Sequence, residues 1–375
     1  MVHEFIVACK NNNLNKIQQM IQMIHMVDMN EGFIWACRYG HIDVVKYLVS
    51  LGVDIHARDE EGFRWACING KIDVVKYLVP LGVDIHAKNE QGFIWACAGG
   101  YINIVKYLVE LNKDINVHAN NEQCFIWACS NGHIDIVKYL IQLGVDIHAR
   151  DEDGFKWACN YGHINVVTFL VQNTNINIHA RDEEGFICAC VHGKIDVVQY
   201  LVQNTDIDIH AREECGFIQA CQYGHIDVVK YLVSVGVDIN ASDKEGFRWA
   251  CVHGQIDVVR YLVQNTNINI HANNEEGFIQ ACYYGQIDVV RYLVQNTNIN
   301  IHANNEEGFR WACSNEQIDV VRYLVNFMQC VKYRKLNKIS QIMPSIDTDY
   351  QWIRKKTYLI NVGKYMKHLN NNFIL

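Results

Sequence analysis

Histidine recurs in one slot along this chain, at His56, His86, His118, His148, His179, His210, His271 and His302, with Asn240 standing in the same slot of an intervening unit. Cysteine recurs in another, always after alanine, at Cys9, Cys37, Cys67, Cys97, Cys129, Cys159, Cys190, Cys221, Cys251, Cys282 and Cys313. Imidazole and thiolate are the ligands of zinc chemistry, and thiols also pair as disulfides. Neither chemistry fits the spacing. A zinc ion needs three or four donors at about 2 Å, and a disulfide needs Cα atoms within about 7 Å. Equivalent residues on stacked helices stand roughly 8–10 Å apart. The cysteines are therefore expected to act as small buried apolar residues, which implies a reducing compartment. Each imidazole is expected to hydrogen-bond backbone in its own loop, as Asn240 also can. No metal and no cofactor follow from either ladder. Cys124, Cys188, Cys215 and Cys330 fall outside the ladder, and neither Cys124 nor Cys215 has an evident partner within the chain.

Tryptophan holds a third slot, at Trp35, Trp65, Trp95, Trp127, Trp157, Trp249 and Trp311, with Cys188, Gln219 and Gln280 as replacements. Such a row could stack nucleic-acid bases. The charge argues against it, and core or inter-repeat packing is the expected role. Residues 1–325 hold 24 Lys/Arg against 39 Asp/Glu, which repels phosphate backbones. No Gly-rich phosphate loop, zinc-type cysteine pairing or Ser/His/Asp set stands outside the recurring pattern, so no catalytic residue is expected.

The elements that position these slots come from one repeated block. Phe33, Phe63, Phe93, Phe125, Phe155, Phe186, Phe217, Phe247, Phe278 and Phe309 mark ten copies spaced 30 to 32 residues apart, and residues 255–278 recur letter for letter as 286–309. A fixed period of this size signals a stacked solenoid whose units cannot bury an apolar face alone. In residues 59–88, Phe63, Ala66 and Cys67 share one face of a short helix that Gly70 should stop. Ile72, Val75, Leu78 and Val79 form the stripe of a second helix, widened by Val74, which begins near Asp73 and ends at Gly82. Val83–Lys88 is expected to run extended into the next unit. The reading is all-α: about eleven helix-turn-helix units with short or reduced hairpin loops.

With the helices and turns placed, the block resembles ankyrin repeats. Residues 40–55, Gly-His-Ile-Asp-Val-Val-Lys-Tyr-Leu-Val-Ser-Leu-Gly-Val-Asp-Ile, are similar to that family's second helix and loop, and Ala36-Cys37-Arg38-Tyr39-Gly40-His41 to its Ala-Ala-x-x-Gly-His segment. The usual Thr-Pro-Leu-His start is absent, Glu61-Gly62-Phe63-Arg64 standing there, and the period is about three residues below the usual ~33. A turn shorter than the usual β-hairpin finger is expected. The short period and the Lys-Tyr-Leu-Val-x-x-Gly-x-Asp-Ile wording most resemble ankyrin proteins of giant DNA viruses. Residues 1–30 read as a degenerate capping repeat, 31–325 as a ten-unit array and 326–375 as a basic helical tail, with nine Lys/Arg against Asp347 and Asp349. The resemblance also implies that Asn240 could accept asparaginyl hydroxylation.

Comparing the array with itself separates frame from variation. Phe, Ala-Cys and Val-Val-x-Tyr-Leu hardly change, whereas the two residues before the first helix's glycine change most. The resemblance implies that this pair faces a concave partner-binding groove. Its candidates are Arg38, Tyr39, Tyr161, His192, Tyr223, His253, Tyr283 and Tyr284. Acidic loops at Asp59, Glu60, Asp151, Glu152, Glu183 and Glu184 are expected to favour a partner with a basic surface. The reading is a non-enzymatic, monomeric protein-interaction scaffold that binds neither nucleic acid nor membrane. The absence of a long apolar run and of a signal-peptide pattern at Met1-Val2-His3-Glu4-Phe5 predicts an intracellular site, host cytoplasm or nucleus. The alternatives are an adaptor whose tail recruits machinery such as a ubiquitin ligase, and a structural virion component.

Overall fold

The computed structural model describes residues 1–111 and 114–328. Among them every regular element is a helix and none is a strand. Contacts gather into two compact units, Met1–Ile270 and His271–Leu375.

In the first unit helices come in pairs: Met26–Tyr39 with Ile42–Ser50, Ala57–Ile68 with Ile72–Leu78, Ala87–Ala98 with Ile102–Leu111, and so on to Ala241–Val252 with Ile256–Asn265. Each first helix packs on the first helices before and after it, starting from Val2–Lys10, and the second helices form their own layer. In the second unit Ala272–Tyr283 packs on Ala303–Ser314 and on Ile287–Asn296, and a further helix covers 318–328. The tail helix expected over 326–375 lies beyond the described residues from 329 onward.

The pattern read from the sequence builds this core. Phe63, Ala66, Cys67, Val74, Val75 and Leu78 have no exposed surface, and their counterparts from Phe33 to Leu293 are likewise buried, whereas Phe309, Cys313 and Val321 of the last repeat are half-buried. Each Phe, Val or Leu side chain of this kind contributes about 1.5–3 kcal/mol when fully buried. Gly40 closes its first helix at φ 81°, a region glycine enters without cost, and both Gly40 and His41 then donate to Ala36.

The start of the first helix differs from the expected extended run. Arg58, Asp59 and Glu60 have φ of 54°, 54° and 64°, a single left-handed turn, after which right-handed winding resumes. The same turn recurs at Lys88–Glu90, Asn120–Glu122, Arg150–Glu152, Arg181–Glu183, Arg212–Glu214, Asn273–Glu275 and Asn304–Glu306. It occupies the place of the hairpin finger. Left-handed backbone costs roughly 1–2 kcal/mol per non-glycine residue. Asp and Asn tolerate it, which suits the middle slot, but Arg and Glu gain nothing locally. Something else must hold the turn.

Candidate interaction surface

What holds the turn is a buried carboxylate. Glu60, Glu90, Glu122, Glu152, Glu183, Glu214 and Glu275 are each only about 5% exposed. In each unit the glutamate Oε1 meets the Nδ1 of the histidine four residues earlier: His56–Glu60, His148–Glu152 and His179–Glu183 all at 2.7 Å. This corrects the expectation that these imidazoles bond only backbone. The same oxygen reaches the next unit: Glu90 Oε1 accepts the N–H of Asn116 at 3.2 Å, Glu152 Oε1 that of Asn177 at 3.3 Å and Glu214 Oε1 that of Asp238 at 3.2 Å. That Asp or Asn in turn caps its own histidine, as Asp54 Oδ1 accepts the His56 N–H at 2.9 Å. A polar chain thus passes from unit to unit within Met1–Ile270. Hydrogen bonding to the carboxylate raises the pKa of His56, His148, His179, His210 and His271 above the ordinary imidazole value.

Burial removes Glu60, Glu152 and Glu183 from the acidic surface expected of these loops. The accessible carboxylates nearby are already paired: Asp59 with Lys88 at 2.7 Å, and Asp151 and Glu184 with Arg181 at 3.2 and 3.3 Å. Exposed pairs of this kind contribute little to stability, but they mask the charge a partner would meet.

A second polar link crosses the units at the start of the second helices. His41, His133, His163 and His225 bring Nε2 to the backbone oxygens of Lys10, Ala98, Ser130 and Val191 at 2.7–2.9 Å, and Gln255 donates to Gln222 at 3.0 Å. These rings also face the variable pair. Tyr39 lies between Trp35 and His41, with centroids 6.0 and 6.1 Å away. Tyr161 lies 5.9 Å from Trp157 and 6.4 Å from His163, and Tyr223 6.5 Å from His225. The tryptophans are fixed in turn, Trp35 and Trp65 donating Nε1–H to Glu31 and Glu61 at 2.8 and 3.0 Å. All but the exposed Trp311 are half-buried rather than in the core, with Trp65 and Trp95 centroids 6.0 Å apart.

The eight residues singled out in the variable pair separate into two groups. Tyr39, Tyr161, Tyr223 and Tyr284 are 46–51% exposed, and His192 and His253 are also exposed. Partial desolvation, with the nearby charges of Lys194 and His225, holds the pKa of His192 below the ordinary imidazole value. Arg38 is half-buried, its guanidinium held 4.9 Å from the Trp35 ring and 4.0 Å from that of Trp65. Tyr283 is half-buried against Tyr284 and Trp311, with centroids at 4.7 and 5.3 Å. Both therefore brace the surface more than they extend it.

The His–Glu pair was missed although its signal is present. His-Ala-x-x-Glu recurs in the units from His56 to His302, and where histidine gives way to Asn240 the glutamate gives way to Lys244. Two residues lost together point to a contact. Among the described residues no group of three or more His, Cys, Asp or Glu is placed to hold a metal ion, and no helix is long and apolar enough to cross a membrane.

Comparison with known proteins agrees with the geometry. The family model described as ankyrin repeats (3 copies) matches residues 63–151, 186–274 and 247–338, and the single ankyrin repeat model matches 33–60 and 156–183. No curated protein matches the chain. The matched segments span most of the sequence and, over the described residues, coincide with the helix pairs, so the chain belongs to the ankyrin repeat proteins.

Proposed function

We propose that this protein is a non-enzymatic, monomeric scaffold that holds a partner protein against the tyrosine-bearing face of its first helices. Ankyrin repeats are protein–protein interaction modules. The observation that carries the reading is the placement of Tyr39, Tyr161 and Tyr223: about half exposed, in the most variable slot, and backed by rings that are themselves fixed. A tyrosine held this way offers contact area and a polar tip at low entropy cost. A partner with a basic surface suits the formal net charge of −8. After the burial of Glu60, Glu152 and Glu183, that preference rests on the whole chain's charge and not on the loops. The same charge disfavours nucleic acid.

The viral resemblance rests on the wording of the repeats alone. The adaptor reading rests on residues 326–375, of which only 326–328 are described. The test is affinity capture from a cell lysate with the wild-type chain and a variant carrying Tyr39→Ala, Tyr161→Ala and Tyr223→Ala. The variant should keep its helical circular dichroism and lose the captured protein. Unchanged capture rejects this face.

A further inference from the structure

The glycine before each phenylalanine sits where successive first helices come closest. A methyl group at Gly62 would lie 2.7 Å from the Phe33 ring and 3.3 Å from Cys37 Sγ; at Gly92 the distances to Phe63 and Cys67 Sγ are 2.7 and 3.4 Å; at Gly216, to Phe186 and Cys190 Sγ, 3.0 and 3.2 Å. In one unit this slot holds Cys124. Its side chain therefore enters the contact between Ala87–Ala98 and Ala119–Ser130, against the thiol of the preceding ladder cysteine, Cys97.

The structure bears this out. Cys97 and Cys124 are both buried, at 0% and 1% exposure. Burial and a hydrogen bond with the Cys124 thiol push the Cys97 pKa well above the ordinary thiol value. Cys124 donates its S–H to Val117 O at 3.0 Å. Val117 belongs to the longest of the inter-unit spacings, the 32 residues from Phe93 to Phe125. The extra loop length and the cysteine thus occur at the same junction and touch. Ladder cysteines remain too far apart to pair with one another, but Cys124, standing out of the ladder, has a partner.

We propose that Cys97 and Cys124 form a latent dithiol that a peroxide-class oxidant converts to a disulfide, tying two successive repeats together covalently. One sulfur attacks the peroxide, the O–O bond breaks and a sulfenic acid and one water form. The second sulfur attacks the sulfenic sulfur, the S–S bond forms and a second water leaves. In balance, two thiols and one hydrogen peroxide give one disulfide and two waters. Burial shields both sulfurs from an oxidant in solution while the helices stay packed, so local opening of this junction gates the step.

The test treats the folded full-length chain with hydrogen peroxide, alkylates the remaining thiols and maps non-reduced peptides by mass spectrometry, with fragmentation separating Cys124 from Cys129. The expected result is a Cys97–Cys124 link as the dominant disulfide. Its formation should raise the melting temperature, and dithiothreitol should reverse the rise. Cys124→Gly restores the repeat's own residue and should fold, yet show neither the link nor the peroxide-dependent rise. The proposal fails if the half-exposed Cys188 and Cys215 are fully oxidised while Cys97 and Cys124 remain unlinked. It also fails if the link forms only after the chain is unfolded in denaturant.

Discussion

Glu152 Oε1 lies 2.7 Å from His148 Nδ1 and also accepts the N–H of Asn177 at 3.3 Å. One buried oxygen therefore closes a left-handed turn in its own repeat and fastens the loop of the next. Strain that Arg150, Asp151 and Glu152 introduce at φ of 54°, 53° and 67° is offset by charge-assisted hydrogen bonds to a buried carboxylate.

Replacing that carboxylate should cost accordingly. Glu152→Ala leaves the imidazole and the Asn177 N–H without their acceptor and should destabilise the array by about 2–4 kcal/mol, within the range for breaking buried charged hydrogen bonds. Glu152→Gln keeps an acceptor oxygen and should cost less than half of that. Urea unfolding followed by circular dichroism gives the ranking. Equal losses for the two variants would contradict the assignment.

The histidine partner predicts a pH dependence with a defined sign. The pKa of His148 is raised in the folded state, first by the hydrogen bond to Glu152 and further by the charges of Glu152 and Asp146. The stabilisation is therefore fully present below the unfolded imidazole pKa of about 6.5 and is lost as pH rises through the higher folded value. The stability gap between wild type and His148→Gln should be largest near pH 6 and shrink by pH 8.5. The His148 side chain is 42% exposed, which limits the size of the effect. Thermal melts at constant ionic strength test it, and a gap that widens with pH would reverse the sign.

The unit with Asn240 and Lys244 lacks both members of the pair, and Lys244 still adopts φ 66°. Installing Asn240→His and Lys244→Glu together should stabilise the protein by about 1 kcal/mol, and either change alone should do less than half as much. A double-mutant cycle on the melting temperature reads the coupling. Additive single effects would mean that the pair does not form there.

Gly62 illustrates a different demand. Gly62→Ala places a methyl group 2.7 Å from a Phe33 ring carbon, in a helix contact with no slack. A loss of about 1–3 kcal/mol is expected, although alanine favours helices. Gly52→Ala, where nothing lies within 4 Å, tests instead the φ of 84° alone. It should cost about 1 kcal/mol.

Much of this frame was legible from periodicity alone. Phe63, Ala66 and Cys67 at helical spacing, and Val74, Val75 and Leu78 in the next helix, can be buried in only one way, and the stop at Gly70 follows from its backbone freedom. The first helix's start was not legible. Three successive non-glycine residues in the left-handed region run against local propensity, and only the buried glutamate explains them. Reading Glu60 and its counterparts as acidic surface followed their charge and overlooked their spacing from histidine. Cys124 showed no evident partner in the sequence because its neighbour, Cys97, occupies a different slot in the preceding unit. In the variable pair, exposure divides Tyr39 and Tyr161 from Arg38 and Tyr283 because Arg38 lies over Trp35 and Trp65 and Tyr283 packs against Tyr284 and Trp311, which depends on neighbours no single repeat reveals.

The claim that recognition belongs to the first-helix face is tested most directly by tyrosine-selective covalent labelling of the wild-type chain, free and bound to its captured partner, with labelled sites read by mass spectrometry. Tyr39, Tyr161 and Tyr223 should lose reactivity on binding. Tyr77, Tyr107, Tyr139 and Tyr261, which lie on the second helices beneath lysine side chains of the preceding unit, should keep theirs. Protection of the second-helix tyrosines with the first set unchanged would contradict the account.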